Sequence, residues 1–240
     1  AGGASARIAM PAAEVLALLL ALLFAASTLA APLRALFTRS LRPLKVWLVR
    51  MLCGLAAAIA LYAALWAPLY SRTEPIDAGA ATRPQLEALC DRLIEGVNGL
   101  RSSAREDWRG LYALDIDDHA MLIRARELIA DATGMPVQSP KSARYPELLS
   151  AMGASGMYFP WTFEALVSPN DLDSARPFTA LHEAAHMAGY AREQDANYVA
   201  WLAAERAEPA FRYSADLGML LYAMEQLHDV DAQSWHFRVL

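Results

Sequence analysis

Residues 178–198 read FTALHEAAHMAGYAREQDANY. On a helix, His182 and His186 stand four residues apart on one face, so two imidazoles can grip a single metal ion. Glu183 lies beside His182, within reach of a water on that ion. Two imidazoles and a carboxylate suit zinc, and a catalytic zinc keeps one position for water. Zinc lowers the pKa of that water, and a neighbouring carboxylate can take its proton. The helix is expected to end at Gly189, a residue that tolerates positive φ. A new helix then starts at Arg192, and a carboxylate in its first turn can point back at the histidines. Glu193 is the expected third ligand, with Asp195 as the alternative. Asn197, one turn after Glu193, is placed to hold a ligand histidine from behind.

Working outward, helical spacing of Leu86, Leu89, Leu93, Val97 and Leu100 predicts a helix from Pro84 to about Glu106. A second helix is expected over Asp117–Ala132, capped by Asp117 or Asp118 and stopped by Gly134 and Pro136. Residues 137–144 read as loop, and 145–152 as a short helix ended by Gly153. Residues 156–169, GMYFPWTFEALVSP, are aromatic and β-prone around Pro160. They predict two short strands, or one strand and an extended arm. Three helices are expected at the end, over 177–189, 192–207 and 212–228.

Composition places the rest. Apolar residues make up 56% of the 240, above the roughly 45–50% of a soluble domain, and the excess lies in the first seventy or so residues. Val15–Leu33 and Met51–Ser71 carry no charge, and each is long enough to cross a ~30 Å hydrocarbon layer as a helix. Between them stand Arg34, Arg39, Arg42, Lys45 and Arg50 with no acid. The positive-inside rule makes that segment a cytoplasmic loop and puts everything after Tyr70 on the other side. Trp47, Trp66 and Tyr70 are expected in the aromatic belts at the span ends. The expected organisation is a membrane anchor over 1–71, a linker over 72–83 (SRTEPIDAGAATR from Ser71) and one domain over 84–240. The opening AGGASARIAM has no Met at position 1; it is consistent with a trimmed start and leaves room for an upstream span. The net charge of -5 argues against nucleic acid as a partner, whose phosphates want a broad basic face. Cys53 falls in the second span and Cys90 outside it, so no disulfide is expected.

HEAAH followed by Glu193-x-x-Ala196-Asn197 resembles the zincin metallopeptidases of the gluzincin type. The form of the third-ligand helix is similar to that of HtpX-like and ImmA/IrrE-like peptidases. The longer pattern resembles an uncharacterised bacterial family of membrane-anchored zinc metallopeptidase-like proteins, a domain of unknown function. The matching stretches are 66–72, 159–165, 177–198 and Tyr213-Ser214. Arg192 stands where a metzincin would have its third histidine, which excludes that family.

The resemblance implies Zn²⁺ on His182, His186 and Glu193, with Glu183 as general base. The expected fold is mainly α: two transmembrane helices, then a zincin-like α+β metallopeptidase domain with a small β-sheet. The expected partners are a peptide or protein substrate and the lipid bilayer, with the catalytic domain outside a bacterial plasma membrane. The runner-up is a catalytically silent, membrane-anchored metal- or peptide-binding scaffold. An intramembrane protease is disfavoured by the charges crowding 176–195. Zincins pair substrate with a strand along the cleft; residues 157–163 are the candidate, against a packed aromatic arm. A tetrahedral intermediate needs a donor for its oxyanion. Tyr213 is the first candidate, ahead of Tyr158, Tyr190 and His228. Glu164 is read as either a substrate-amine ligand or the cap of a strand.

Overall fold

The computed structural model describes residues 11–71, 81–102 and 104–239. The expected linker lies outside them as far as residue 80, as does the opening decapeptide. The described residues form two compact units. One comprises residues up to Ser71 together with Phe159–Glu164, and the other holds the rest.

The first unit is a helical hairpin. Helix α1 spans Ala12–Thr38 and α2 spans Arg42–Trp66, continued by a 3-10 turn over Ala67–Ser71. Both are long and apolar enough to cross a membrane. Their most apolar stretches are 6% and 0% buried, whereas the core helix of a soluble domain would hide its apolar face. Leu23, Leu29 and Phe37 are more than half exposed. The expected basic loop over 34–50 is a correction: only residues 39–41 leave the helices. Charge marks where side chains leave an apolar environment, whereas backbone hydrogen bonding continues past that point. Arg39, in the left-handed region at φ 48°, closes α1. Trp47 is also drawn inward, its indole N–H donating to Ser27 Oγ at 3.2 Å.

The tip of a β-hairpin completes this unit. Trp161 packs on Tyr62 with ring centroids 5.7 Å apart. The Glu164 carboxylate accepts the Ala13 backbone N–H at 2.8 Å, satisfying one of the free donors at the start of α1. The strand-capping role read for Glu164 is corrected: its carboxylate caps the start of a helix.

The second unit is mainly helical. Helix α3 (Arg83–Arg101) starts on a capping box between Thr82 and Gln85 and stops before the expected Glu106. Helix α4 (Asp118–Thr133) is capped by Asp117, whose side chain accepts from His119 and Ala120 N–H, and ends at Gly134. Residues 141–142 form strand β1, where loop was expected. Two residues carry no alternation to read; their partner supplies the signal. Helix α5 covers Pro146–Ala151. Strands β2 (Gly156–Phe159) and β3 (Glu164–Val167) realise the two-strand reading of 156–169, with Pro160 in the turn. The mixed sheet has the order β1-β3-β2, with β1 parallel to β3 and Lys141 opposite Leu166.

Helices α6 (Arg176–Met187), α7 (Glu193–Ala204) and α8 (Pro209–Val230) follow close to their expected bounds. Helix α9 (Ala232–Val239) was not expected. Asp231 interrupts the helix with extended backbone, then accepts the Gln233 and Ser234 N–H groups. The main core gathers α4, α6, α7 and α8 around Met121, Ile129, Leu181, Val199 and Phe211. A smaller cluster of Leu86, Cys90, Leu93 and Leu227 fastens α3 to α8. Cys90 is buried, Cys53 is exposed and both are free.

Candidate metal centre

Helix α6 can approach its neighbours closely because its buried face is small. Ala180, Ala184 and Ala185 are fully buried, and the two residues inside HEAAH are therefore packing residues. Asp118 and Asp173 pair with the buried Arg176 at the start of this helix. At the other end Gly189 takes φ 95°, a value strained for any side chain. That turn lets the Tyr190 carbonyl face back toward the helix and brings Glu193 round as the first residue of α7.

The three expected ligands converge. His182, His186 and Glu193 each offer a ligand atom, and these atoms lie within 4.8 Å of one another. Glu193 Oε2 is 3.2 Å from His182 Nε2, and Oε1 is 3.6 Å from His186 Nε2. Asp195 does not belong to this group. The far nitrogens are already engaged. His182 Nδ1 lies 2.8 Å from Asn197 Oδ1, and His186 Nδ1 lies 2.7 Å from the Tyr190 carbonyl. Both partners accept, so each imidazole donates from Nδ1 and turns the lone pair of Nε2 to the shared space.

Electrostatics follow from this geometry. When the metal-free imidazoles are also protonated on Nε2, their hydrogen bonds hold the Glu193 carboxyl well below the usual range, against its own desolvation. Burial works to lower the His186 pKa, but Glu193, Glu183 and the Tyr190 carbonyl together raise it. Glu183 is 4% exposed. Desolvation pushes its carboxyl up to about 8, opposed by His186 and assisted by the charge of Glu193. Its Oε2 is buried without a hydrogen-bond partner. A carboxylate in that state costs energy unless positive charge or a proton donor meets it.

Strand β2 touches this group. A Cβ on Gly156 would lie 2.6 Å from Glu183 Oε1 and 2.7 Å from its Cγ, so only glycine leaves room there. Neither Gly156 nor the Tyr190 carbonyl was singled out from sequence. A glycine opening a strand signals close backbone approach, which was the available sign for Gly156. The carbonyl of Tyr190 carries no side-chain signature.

The other candidates divide. Tyr213 is buried on α8, its ring stacked on Tyr112 with centroids 4.6 Å apart. Its neighbour Ser214 accepts the Phe178 N–H at 2.9 Å, one turn before His182. Tyr158 is half-buried on β2, and burial raises its pKa. His228 sits edge-on to Trp235 at 5.1 Å, in the smaller cluster rather than with the ligands.

A protein family of unknown function, DUF3810, matches residues 3–237, and the chain belongs to it. No curated protein and no solved structure matches the chain.

Proposed function

We propose that this member of the DUF3810 family is a membrane-anchored zinc metallopeptidase. The observation that carries the reading is one constellation. Two imidazole Nε2 atoms and a carboxylate face one space, beside a buried acid with one oxygen unpartnered. That donor set suits zinc with a position left open, and the orphaned Glu183 Oε2 is what a base awaiting its proton donor would show. His182, His186 and Glu193 would hold the ion, with Asn197 and Tyr190 fixing the imidazoles. Zinc would supply a Lewis acid that polarises a carbonyl and makes water acidic near neutral pH.

The chain's own residues do the rest. Positive charge among the ligands favours ionised Glu183, which takes the proton of the attacking water and returns it to the leaving amine. Strand β2 is at the sheet edge, so an extended peptide laid along it would pass Gly156 and reach Glu183. Tyr213 is retained as the candidate oxyanion donor. The two apolar helices anchor the protein in a bacterial plasma membrane, their basic connecting end inward and Arg72–Leu240 outside.

The test is cleavage of a peptide library by the zinc-loaded full chain. Wild type cleaves, and Glu183→Gln keeps zinc but loses at least about a hundredfold in rate. Equal rates for the two, or no cleavage by zinc-loaded wild type, would reject the proposal.

A further inference from the structure

The helical hairpin holds a concave site of its own. A groove of about 810 Å³ runs between α1 and α2. Ala26, Ala30, Val46 and Trp47 line it, Arg34 and Arg42 stand at the end nearest the helical turn, and Arg50 lies about 12 Å further along α2. The placement follows from helix periodicity. Positions 23, 26, 27, 30, 31, 34 and 38 fall on one face of α1, and 42, 46 and 50 on one face of α2. Small side chains on α1 leave the space. The Trp47–Ser27 hydrogen bond fixes one wall.

Its charge is uncompensated among the described residues. No Asp or Glu occurs between Glu14 and Glu74, and no ion pair involves these three arginines among the described residues. The N-terminus of α2 adds to the same field. No acid sits in its first turn, although Ser40 Oγ accepts the Arg42 N–H at 3.2 Å. Arginine forks bind phosphate oxygens in pairs. From Arg34 back to Leu23 the apolar wall runs about 16 Å along α1, a length suited to an acyl chain and far beyond a bare anion.

We infer that this groove binds one anionic phospholipid, its phosphate between Arg34 and Arg42 and an acyl chain along Ala26, Ala30 and Val46. The charge and the apolar wall together select this occupant. A free phosphate would not use the wall, and a neutral lipid would not use the arginines.

The test uses the full chain in nonionic detergent, offered equal phosphatidylglycerol and phosphatidylcholine, with retained lipid read by native mass spectrometry. Wild type retains phosphatidylglycerol preferentially. Arg34→Gln with Arg42→Gln lowers that preference by roughly fivefold per arginine. Arg39→Gln with Lys45→Gln removes the same charge outside the groove and leaves the preference standing. Ala30→Leu narrows the groove with every arginine in place and also weakens retention, so the inference does not hang on a charge variant that misfolds. Equal retention of the two lipids by wild type would overturn it. So would equal losses in the two double variants, unchanged retention in Ala30→Leu, or displacement of the lipid by equimolar glycerol phosphate.

Discussion

Replacing Glu183 by Gln should stabilise the metal-free protein, and increasingly so as pH rises. In the folded chain the carboxyl is buried, with Oε2 unpartnered and its pKa near 8 against an ordinary 4.5. The folded value lies above the unfolded one, so the folded state holds this proton more tightly. The contribution to stability is whole below about 4.5 and is lost as pH climbs through about 8. Linkage puts the loss at about 3 kcal/mol at pH 7 and about 4 kcal/mol between pH 5 and pH 9, as an order of magnitude. Glutamine has the same shape and does not titrate. At a few degrees per kcal/mol for a chain of this size, the variant should melt roughly 10 °C above wild type at pH 8 and close to it at pH 5. Thermal unfolding of both proteins after chelation, followed by helical circular dichroism in one detergent, reads this directly. Zinc should erase the difference in pH dependence, because positive charge beside Glu183 favours its ionised form. Parallel pH profiles for the two metal-free proteins would refute the buried-acid reasoning.

Three further outcomes are expected. Gly156→Ala places a Cβ 2.6 Å from Glu183 Oε1, and should cost about 1–3 kcal/mol in thermal or denaturant unfolding. The same change in a Glu183→Ala background should cost far less, and a double-mutant cycle measures that coupling. Asn197→Ala removes the acceptor from His182 Nδ1 and should weaken zinc binding by about 10–100-fold in competition with a chelating dye. Gly218→Ala meets the Phe178 ring at 2.5 Å, so the clash should lower stability by about 1–3 kcal/mol with zinc stoichiometry unchanged.

The site was more legible than the sheet. HEAAH and Glu193 could be placed because helix periodicity turns a spacing of four into one face, and Gly189 announces the turn. Three-residue proximity does not follow from spacing alone; it needed the left-handed Gly189 that only the backbone displays. Helices α4, α6, α7 and α8 were readable because each joins an apolar stripe to a cap or breaker. Strand β1 was not, since two residues borrow their structure from β3. Helix α9 was hidden by Asp231, which ends one helix and caps the next. The charge-free runs showed two long apolar segments but misplaced their ends, because α1 and α2 continue through Arg34 and from Arg42. The packing of Gly156 on Glu183 is a relation between a backbone and a side chain far apart in sequence, which no local pattern encodes.

The central claim is that His182, His186 and Glu193 form one zinc site, and metal content tests it most directly. Full-length wild type, Glu183→Gln and His186→Ala should be purified without chelator, equilibrated with equal zinc and analysed by elemental mass spectrometry. The account predicts about one zinc per chain in wild type and Glu183→Gln, and loss of that zinc in His186→Ala. Wild type without zinc, or His186→Ala retaining it in full, would contradict the account.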